Sequence, residues 1–579
     1  LSCRFDKNFK RISQRQIARD IANGVHIVRS PANGAEDAVL ADNHTTPITP
    51  RTYTESAFLI SRDIESSSFQ LGGFSMISGI VSELFQHFEH YYFAHTPFLQ
   101  PVASLDRLAS ESPFLFWTII LITCQHHEKH NELYNELPLA HRELLQPLST
   151  RAVRNIQEVH ALFLLCLWSL PSRLPLLDPT WTYASIAMDT CMRMNFHNPL
   201  PQDHIARGWA SWLDSENVTV QDQHLTWLSC FGITTQAAVY QGISPPLSSS
   251  QQLRYVKNAV KQLGTSLSPE NQANVAIYEI ICNYSTSLEA IEDSTSNSHI
   301  IQTFDNSLDI IEQAYAAHWT PELDIQLQYA KVNLYAMAVL GSSQTDMRID
   351  IPGLINKQAL LVRGLGSASR VIYQTEALTL LPVQNAISNT GKLTFYPRQY
   401  ITNSFFAAIY LFRMLVDCRP LSQAQVTLAL SSIAQARNVF ILMPHHRTAA
   451  MGADFLGRIL DKAQATDASS GALSLPQLLI TNRLGASLMY DIIFRLSHFA
   501  RRDPSHGMGI QNQGGAADNS QAQESLTSDA IARLLDIQEV SPDMSLIQQH
   551  SGESFWASWD ASFFGEMEIG LSEQASLLP

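Results

Sequence analysis

The sequence contains little charge, little glycine and few cysteines. Only 16% of its 579 residues are charged and only 25 are glycine, whereas average soluble proteins have about 25% charged residues and about 7% glycine. These values exclude a collagen-like repeat, a low-complexity protein and a wholly disordered chain. The 7 scattered cysteines form no disulfide framework and indicate a reducing, intracellular compartment.

Long hydrophobic runs are also missing. The two longest are FLFWTIILITC at Phe114–Cys124 and ALFLLCLWSL at Ala161–Leu170. Both are shorter than the roughly 20 apolar residues that a transmembrane helix needs. The N-terminal LSCRFDKNFKR has no apolar core of the kind that defines a signal peptide. We therefore expect a soluble protein without a membrane segment, in which both runs form buried core helices.

The charged residues are distributed unevenly. The first 19 residues contain six basic side chains and one acid. Residues 505–579 contain eleven acids and one base, so this tail carries −10 of the net charge of −15. A basic stretch favours polyanions through counterion release, whereas an acidic stretch avoids them. The two ends of the chain are therefore predicted to have separate electrostatic tasks.

The middle of the chain shows helical periodicity. Ser268-Pro269-Glu270 and Thr320-Pro321-Glu322 are typical helix starts, with an N-cap, a proline and an acid. Apolar residues at helical spacing predict two one-sided faces, Ile301, Phe304, Leu308, Ile311 and Tyr315 and then Leu323, Leu327, Ala330, Leu334 and Met337. Further helices are predicted near 355–380, 398–417, 421–443 and 479–500. Sustained strand alternation and hairpin dipeptides between such runs are not found, which predicts an all-α fold, a large irregular helical bundle or array.

Composition divides the chain into five parts. A stretch rich in Pro, Asn, Ser and Thr precedes the helical pattern, and SHGMGIQNQGGAADNSQAQES follows it. Both are typical of linkers. The predicted parts are a basic segment at 1–29, a flexible linker at 30–73, a helical domain at 74–502, a disordered linker at 503–540 and an acidic-aromatic segment at 541–579.

One histidine pair has a spacing that could bind a metal. His126 and His130 lie four residues apart in HHEKH, which would place them on one face of a helix. A catalytic zinc site also needs a third protein ligand, and the sequence identifies none. A solvated helix end is the favoured interpretation.

Motifs of enzymes and nucleotide-binding proteins are missing. Gly364-Leu365-Gly366 interrupts a helical pattern and does not follow the strand that a nucleotide-binding fingerprint requires. GxSxG, Walker and CxxC motifs do not occur. We expect no enzyme, and keep an α-helical enzyme with an unrecognised pocket as an alternative. Five cysteines lie among apolar residues and are expected to be small core hydrophobes, namely Cys124, Cys166, Cys191, Cys230 and Cys282.

The N-terminal CRFDKNFKRIS at residues 3–13 resembles the end of the DNA-binding module of fungal zinc-cluster transcription factors. In that family six cysteines bind two zinc ions, and a basic linker follows the last cysteine. The resemblance implies that Cys3 is the last zinc ligand and that Lys7, Lys10 and Arg11 contact DNA phosphates. Because one thiolate cannot hold zinc alone, we expect residues 1–579 to bind none. A basic arm with a chance cysteine is the alternative.

Three stretches resemble parts of the middle homology region of the same family. LFQHFEHYY at 84–92 and TPFL at 96–99 are similar to its opening, and WTYASIAMDTCMRMNFH at 181–197 is similar to a later helix. Within that helix, Ala184 and Ala187 are small enough to let a second helix approach closely.

The segment that follows is a degenerate version of the family pattern. HLTWLSCF at 224–231 and GISPP at 242–246 are similar to it, but Gln223-His224 replaces the paired arginines and Gly242-Ile243-Ser244 replaces a Gly-Arg/Lys-Pro turn. The resemblance covers about residues 75–500. It implies a regulatory, non-catalytic helical domain, with the activators of secreted-protease genes as a possible subgroup.

The acidic tail also contains a cluster of aromatic side chains. Acids around bulky apolar groups are typical of activation domains that fold on binding a partner. A C-terminal helix that docks its aromatic residues on the body is the alternative. The aromatic residues are Phe555, Trp556, Trp559, Phe563 and Phe564.

These features together predict a gene-specific transcription regulator in the nucleus. Its expected partners are DNA, coactivator or mediator-type proteins and a small-molecule effector, and a homodimer is left open. The main rival hypothesis is a regulator without its own DNA-binding module, which acts through protein partners. Five upstream cysteines with the spacing of the zinc-cluster module would separate the two.

Overall fold

A computed structural model describes most of the helical part of the chain. The described residues are 66–102, 104–170, 178–199, 218–289, 294–340, 351–380, 392–417, 421–443, 446, 449–457, 460 and 478–492.

The described part begins with a β-hairpin that the sequence analysis missed. Strands β1 (Ser68–Leu71) and β2 (Phe74–Ile77) pair antiparallel, and Leu71 lies opposite Phe74. The turn is Gly72-Gly73, with Gly72 at φ +56°, a conformation that glycine adopts without steric cost. The helical pattern therefore begins at Ser78, four residues after the Phe74 that periodicity indicated.

After the hairpin, the regular secondary structure of the described chain is helical, which confirms the predicted all-α fold. The α-helices are, in chain order, α1 (Ser78–Tyr91), α2 (Leu105–Glu111), α3 (Pro113–Gln125), α4 (Leu137–Leu145), α5 (Ile156–Leu167), α6 (Thr180–Arg193), α7 (Val220–Gln241), α8 (Ser250–Leu263), α9 (Pro269–Glu289), α10 (Ser294–Ala314), α11 (Pro321–Leu340), α12 (Ile351–Leu380), α13 (Gln399–Asp417) and α14 (Gln423–Ile441). Single 3₁₀ turns lie at Phe93–His95, Asn131–Asn135, Gln146–Ser149, Gly264–Ser266, Ala316–His318, Lys392–Phe395 and Leu484–Ala486. The helices predicted near 355–380, 398–417 and 421–443 correspond to α12, α13 and α14. Of the one predicted at 479–500, only the part up to 492 lies within the described residues.

Side-chain caps fix several helix starts. Ser268 Oγ accepts a hydrogen bond from Asn271 N at 3.3 Å, and Thr320 Oγ1 accepts one from Leu323 N at 3.3 Å. Both predicted N-caps are therefore confirmed. At α7, Thr219 and Asp222 form a reciprocal capping box.

The C-terminus of α7 explains the glycine at 242. The Ile243 N–H donates to Ala238 O at 3.0 Å and the Gly242 N–H to Val239 O at 3.1 Å, the bonding pattern that closes a helix with a left-handed residue. Gly242 has φ +68°, and a Cβ there would clash with the carbonyl oxygen of Arg483. A side chain at this position would therefore disturb both the turn and the packing of Arg483 against it.

The core consists of helices that are buried on more than one side. Residues 114–124 of α3 are all buried, as predicted for that apolar run. Helix α6 packs between α5 and α7, and Ala184 and Ala187 on it are fully buried, as their small size predicts. In the second half, α12 packs against α11, α13 and α14.

Segment 392–398 connects the first and second halves of the helical array. Trp168 Nε1 donates to Phe395 O at 3.0 Å, and the Arg398 N–H donates to Leu167 O at 2.9 Å. The start of α13 is thereby attached to the end of α5.

One further expectation from the sequence agrees with the structure. The five cysteines at 124, 166, 191, 230 and 282 are buried free thiols. Within the described ranges, no single helix is long and apolar enough to cross a bilayer. Helices α2 and α3 satisfy that test only as a pair, and they are bent by 118° against each other.

Candidate functional site

The side chains that the sequence singled out for function lie outside the described residues. They are Cys3, Lys7, Lys10 and Arg11 at one end and Phe555, Trp556, Trp559, Phe563 and Phe564 at the other. Their roles in zinc binding, DNA contact and activation therefore stay predictions.

The prediction that His126 and His130 lie on one face of a helix is wrong. Helix α3 ends at Gln125, and His126 has non-helical backbone angles of φ −125° and ψ 15°. The His126 ring stacks on His446 with 5.6 Å between ring centroids. His130 Nε2 instead lies 3.1 Å from Glu83 Oε2 on α1. No group of three or more His, Cys, Asp or Glu side chains in the described part has an arrangement that could hold a metal ion.

These histidines belong to a contact between α1 and the loop after α3. The His127 ring lies 4.7 Å from the ring of His87 and 4.7 Å from that of His130, measured between centroids. Hydrogen bonds from Lys129 and His130 lower the pKa of Glu83 to about 2. Burial lowers the pKa of His87 to about 3, so this ring is neutral at physiological pH. The cluster is a structural contact between α1 and this loop that contains the neutral His87 ring and one ion-paired acid, Glu83.

A cleft at the junction of the two halves has a different character. It is formed by the end of α5, the start of α6, the middle of α7 and α11, and the start of α13. Its volume is about 60 Å³. Apolar and polar side chains both line it, among them Ile233, Tyr240, Tyr329, Gln326, Arg398 and Asn403.

One wall of the cleft contains Arg398, which belongs to a buried ion pair. Arg398 Nη2 pairs with Asp178 Oδ2, and the two side chains are 14% and 1% exposed. The other carboxylate oxygen of Asp178 accepts hydrogen bonds from Thr180 N at 2.9 Å and Thr180 Oγ1 at 2.5 Å, which satisfies the first N–H of α6. The guanidinium carbon lies 5.4 Å from the centroid of the Tyr240 ring, within cation–π distance. Burial raises the pKa of Tyr240, so its hydroxyl stays protonated.

The guanidinium has hydrogen-bonding capacity that the described protein does not use. It carries five N–H donors, and Asp178 is the acceptor it meets among the described side chains. Two nearby carboxamides share this property. Gln326 and Asn403 are 4% and 5% exposed, line the cleft, and make no side-chain hydrogen bond within the described ranges. Gln399 Oε1 is buried in the same wall and likewise has no donor there.

Buried polar groups without partners are uncommon in native proteins, because each costs about 1–3 kcal/mol. Here the unused donors of one guanidinium, the carboxamides of Gln326 and Asn403 and the Oε1 atom of Gln399 converge on one cleft. The arrangement has the character of a binding site that recognises a small polar molecule, because a ligand or water has to satisfy these groups.

Sequence reasoning missed this cleft. Its residues come from five helices, and no local motif joins them. Gln326 lies on the polar face of α11, and the sequence predicted only that the opposite, apolar face is buried. A glutamine side chain does not indicate that other helices also pack over the polar face. The one available hint is Asp178-Pro179-Thr180, which has the cap-and-proline pattern of a helix start.

No protein-family model matches the chain. No solved structure matches it. Similar curated proteins are three fungal proteins, each named "Putative transcription factor SEF1". The one from Eremothecium gossypii is 22% identical over 390 residues, which is 65% of this chain and 33% of that protein.

The other two relatives give the same result over shorter stretches. The Kluyveromyces lactis protein is 25% identical over 228 residues, 39% of this chain and 19% of the relative. The Saccharomyces cerevisiae protein is 25% identical over 214 residues, 37% of this chain and 18% of the relative. The aligned regions thus span at most a third of the curated relatives. These similarities support a fungal transcription factor.

Proposed function

We propose that the protein is a gene-specific regulator of transcription that acts in the nucleus, and that the helical body is its regulatory domain. The observation that carries this proposal is the similarity to the Eremothecium gossypii protein over 65% of the chain. An all-α body with a cleft of unpartnered polar groups supports a domain that binds a ligand and transmits its presence. The relatives' names also favour a regulator over an enzyme.

The experiment for this function is a reporter assay. Residues 1–579 are fused to a foreign DNA-binding domain and compared with that domain alone at a promoter carrying its sites. We expect reporter expression to change, because a regulator brought to a promoter acts on transcription without its own DNA contacts. An unchanged reporter, with the fusion shown to be present in the nucleus, would contradict the proposal.

For DNA recognition we propose that Cys3 corresponds to the last ligand of the zinc cluster of the family that the sequence resembles. Lys7, Lys10 and Arg11 would then contact phosphates, which fix position but carry no sequence information. Residues 1–579 alone should bind DNA weakly, without sequence preference and with a steep salt dependence. They should also carry no stoichiometric zinc, since a structural site needs four ligands. Two zinc ions per chain by elemental analysis, or nanomolar sequence-selective binding, would overturn this.

For activation we propose the acidic-aromatic segment 541–579. Fused to a foreign DNA-binding domain, it should activate a reporter, and alanine in place of its aromatic residues should remove most of that activity. Neutralising Asp560, Glu566 and Glu568 should weaken it less, because exposed charges contribute mainly to encounter. A silent fusion, together with a lower Tm of the aromatic variant, would favour a docked C-terminal helix instead. The aromatic residues to replace are Phe555, Trp556, Trp559, Phe563 and Phe564.

A further inference from the structure

We propose that the cleft between α5, α7, α11 and α13 binds a small zwitterionic amino acid. The geometry of the cleft supports the binding of this ligand. That the ligand regulates transcription rests on the proposed function.

The guanidinium of Arg398 defines where a carboxylate would bind. Arginine presents its N–H groups in a planar fork that matches a carboxylate. Asp178 uses one nitrogen of this fork, and the remaining donors meet no acceptor in the described structure. The backbone N–H of Arg398 donates to Leu167 O at 2.9 Å, which fixes the backbone of this residue. A ligand carboxylate would therefore bind to a guanidinium that is already positioned.

The charge balance of the cleft selects a zwitterion over a simple anion. Arg398 and Asp178 together are neutral, so a bound carboxylate alone would leave one uncompensated negative charge in a buried site. Such a charge is costly unless it is paired. An ammonium group on the same ligand cancels it, and the carboxamide oxygens of Gln326, Gln399 and Asn403 can accept its N–H groups.

The volume of the cleft limits the size of the ligand. A cavity of about 60 Å³ holds roughly four to six non-hydrogen atoms, since one water-sized sphere takes about 10–15 Å³. That is the size of glycine or alanine. Ile233, Ala237 and Leu167 provide apolar surface for a short side chain.

The position of the cleft connects ligand binding to the packing of the two halves. Asp178 lies just before α6, whereas Arg398 lies just before α13, and the Trp168–Phe395 hydrogen bond joins the two sides nearby. A ligand that contacts α11 and α13 as well as Arg398 stabilises the joined arrangement by its binding free energy. A ligand that binds the joined arrangement better shifts the population of the domain toward it, and in this way can regulate the domain.

The test uses the purified chain, residues 1–579, and three probes that dissect the ligand. L-alanine carries both charges, propionate carries only the carboxylate and ethylammonium carries only the ammonium. We expect saturating L-alanine to raise Tm by about 1–3 °C, and calorimetric titration to show one site per chain. Neither half-ligand should raise Tm. Equal shifts with L-alanine and propionate would overturn the zwitterion assignment, and no shift with any probe would overturn the site.

Variants place the effect in the cleft. Asn403→Leu and Gln326→Leu remove amides that have no protein partner in the described chain, so both variants should fold. Each should bind L-alanine at least tenfold more weakly than the parent chain. Gln313→Leu, at an exposed position on α10, is the matched control and should respond as the parent chain does. Unchanged binding by both cleft variants would contradict the proposal, as would loss of binding in the control.

The reporter fusion separates this inference from the proposed function. If L-alanine binds and the fusion leaves the reporter unchanged, the site holds and the proposed function fails. If the fusion regulates the reporter and none of the three probes binds, the function holds and the ligand assignment fails.

Discussion

Two buried polar regions of the helical body, the network around Asp305 and the cleft, differ in how many of their polar groups have hydrogen-bond partners within the protein. On α10, Asp305 accepts a hydrogen bond from Tyr335 Oη at 2.6 Å and forms ion pairs with Arg363 and Lys331. In the cleft, the Arg398 guanidinium has one carboxylate partner, and the amides of Gln326 and Asn403 have none in the described structure. A fully connected network holds helices together, whereas convergent unsatisfied groups are available to a ligand.

The largest expected effect is loss of the central acid of the α10–α12 network. Asp305→Ala leaves a buried hydroxyl and two cations without this partner, and removal of one member of a buried ion pair costs about 3–5 kcal/mol. Asp309→Ala is the matched control, because that carboxylate is 41% exposed and an exposed pair contributes at most about 1 kcal/mol. Urea unfolding of both variants measures the difference. Equal losses would show that Asp305 is not the centre of the network.

Two glycines on α12, the helix that carries Arg363, give effects of opposite sign. A Cβ at Gly364 would clash with Tyr410 Oη, whereas one at Gly366 meets nothing within 4 Å. Gly364→Ala should destabilise by about 1–3 kcal/mol through overpacking. Gly366→Ala should stabilise by about 0.5–1 kcal/mol through helix propensity and lost chain entropy. Unfolding curves that shift in the same direction for both would contradict this packing.

Lowering the pH should reduce the stability of the helical body, because its buried histidines are neutral in the folded state. Burial lowers the pKa of His141 to about 4, below the usual 6.5, so between these values the unfolded chain binds a proton that the folded chain excludes. Stability is therefore full above about pH 6.5 and is lost as the pH falls towards 4. His141→Phe should reduce the loss between pH 7 and pH 5 by about 1–2 kcal/mol. Tm measured against pH tests this.

His141→Phe removes the buried hydrogen bond of 2.8 Å between Thr118 Oγ1 and His141 Nε2, but the variant is expected to fold because the other contacts at the site survive. The Thr118 hydroxyl donates to Phe114 O at 2.7 Å, so it stays bonded when the ring changes. The Phe114 ring lies 5.5 Å from the His141 ring and can contact phenylalanine as well. An identical pH dependence in both proteins would show that His141 does not titrate in this range.

The smallest effect should come from the cleft amides. Asn403→Leu should change stability by less than about 1 kcal/mol, because replacing an unsatisfied buried polar group with an apolar one is close to neutral. Asn333→Leu is the contrast, since Asn333 Oδ1 accepts from Tyr284 Oη at 3.3 Å and its loss should cost about 1–3 kcal/mol. Chemical denaturation of the two variants tests the comparison. Equal and large losses would mean that Asn403 has a structural partner.

Sequence periodicity predicted the helices but not how completely they are covered. The face of α11 with Leu327 and Leu334 is buried as expected, yet every residue from Leu323 to Met337 is buried, including Gln326 and Lys331. Periodicity reports which face is apolar. It does not report whether the polar face is also packed, because that depends on distant helices. The cleft escaped prediction for this reason.

The short hairpin escaped prediction for a local reason. Its strands are four residues long, too short for an alternating pattern to stand out from chance. Gly72-Gly73 is nevertheless a hairpin dipeptide, and it was the one available signal. The N-caps at Ser268 and Thr320 were predictable because a cap, a proline and an acid act within a single turn.

The most direct test of the central claim is chromatin cross-linking of the complete, tagged protein in its own cells, combined with transcript levels in a deletion strain. The account predicts enrichment at a limited set of promoters, and altered transcripts of the genes they control. A protein that cross-links to no chromatin and whose deletion leaves transcript levels unchanged would contradict a role in gene-specific transcription.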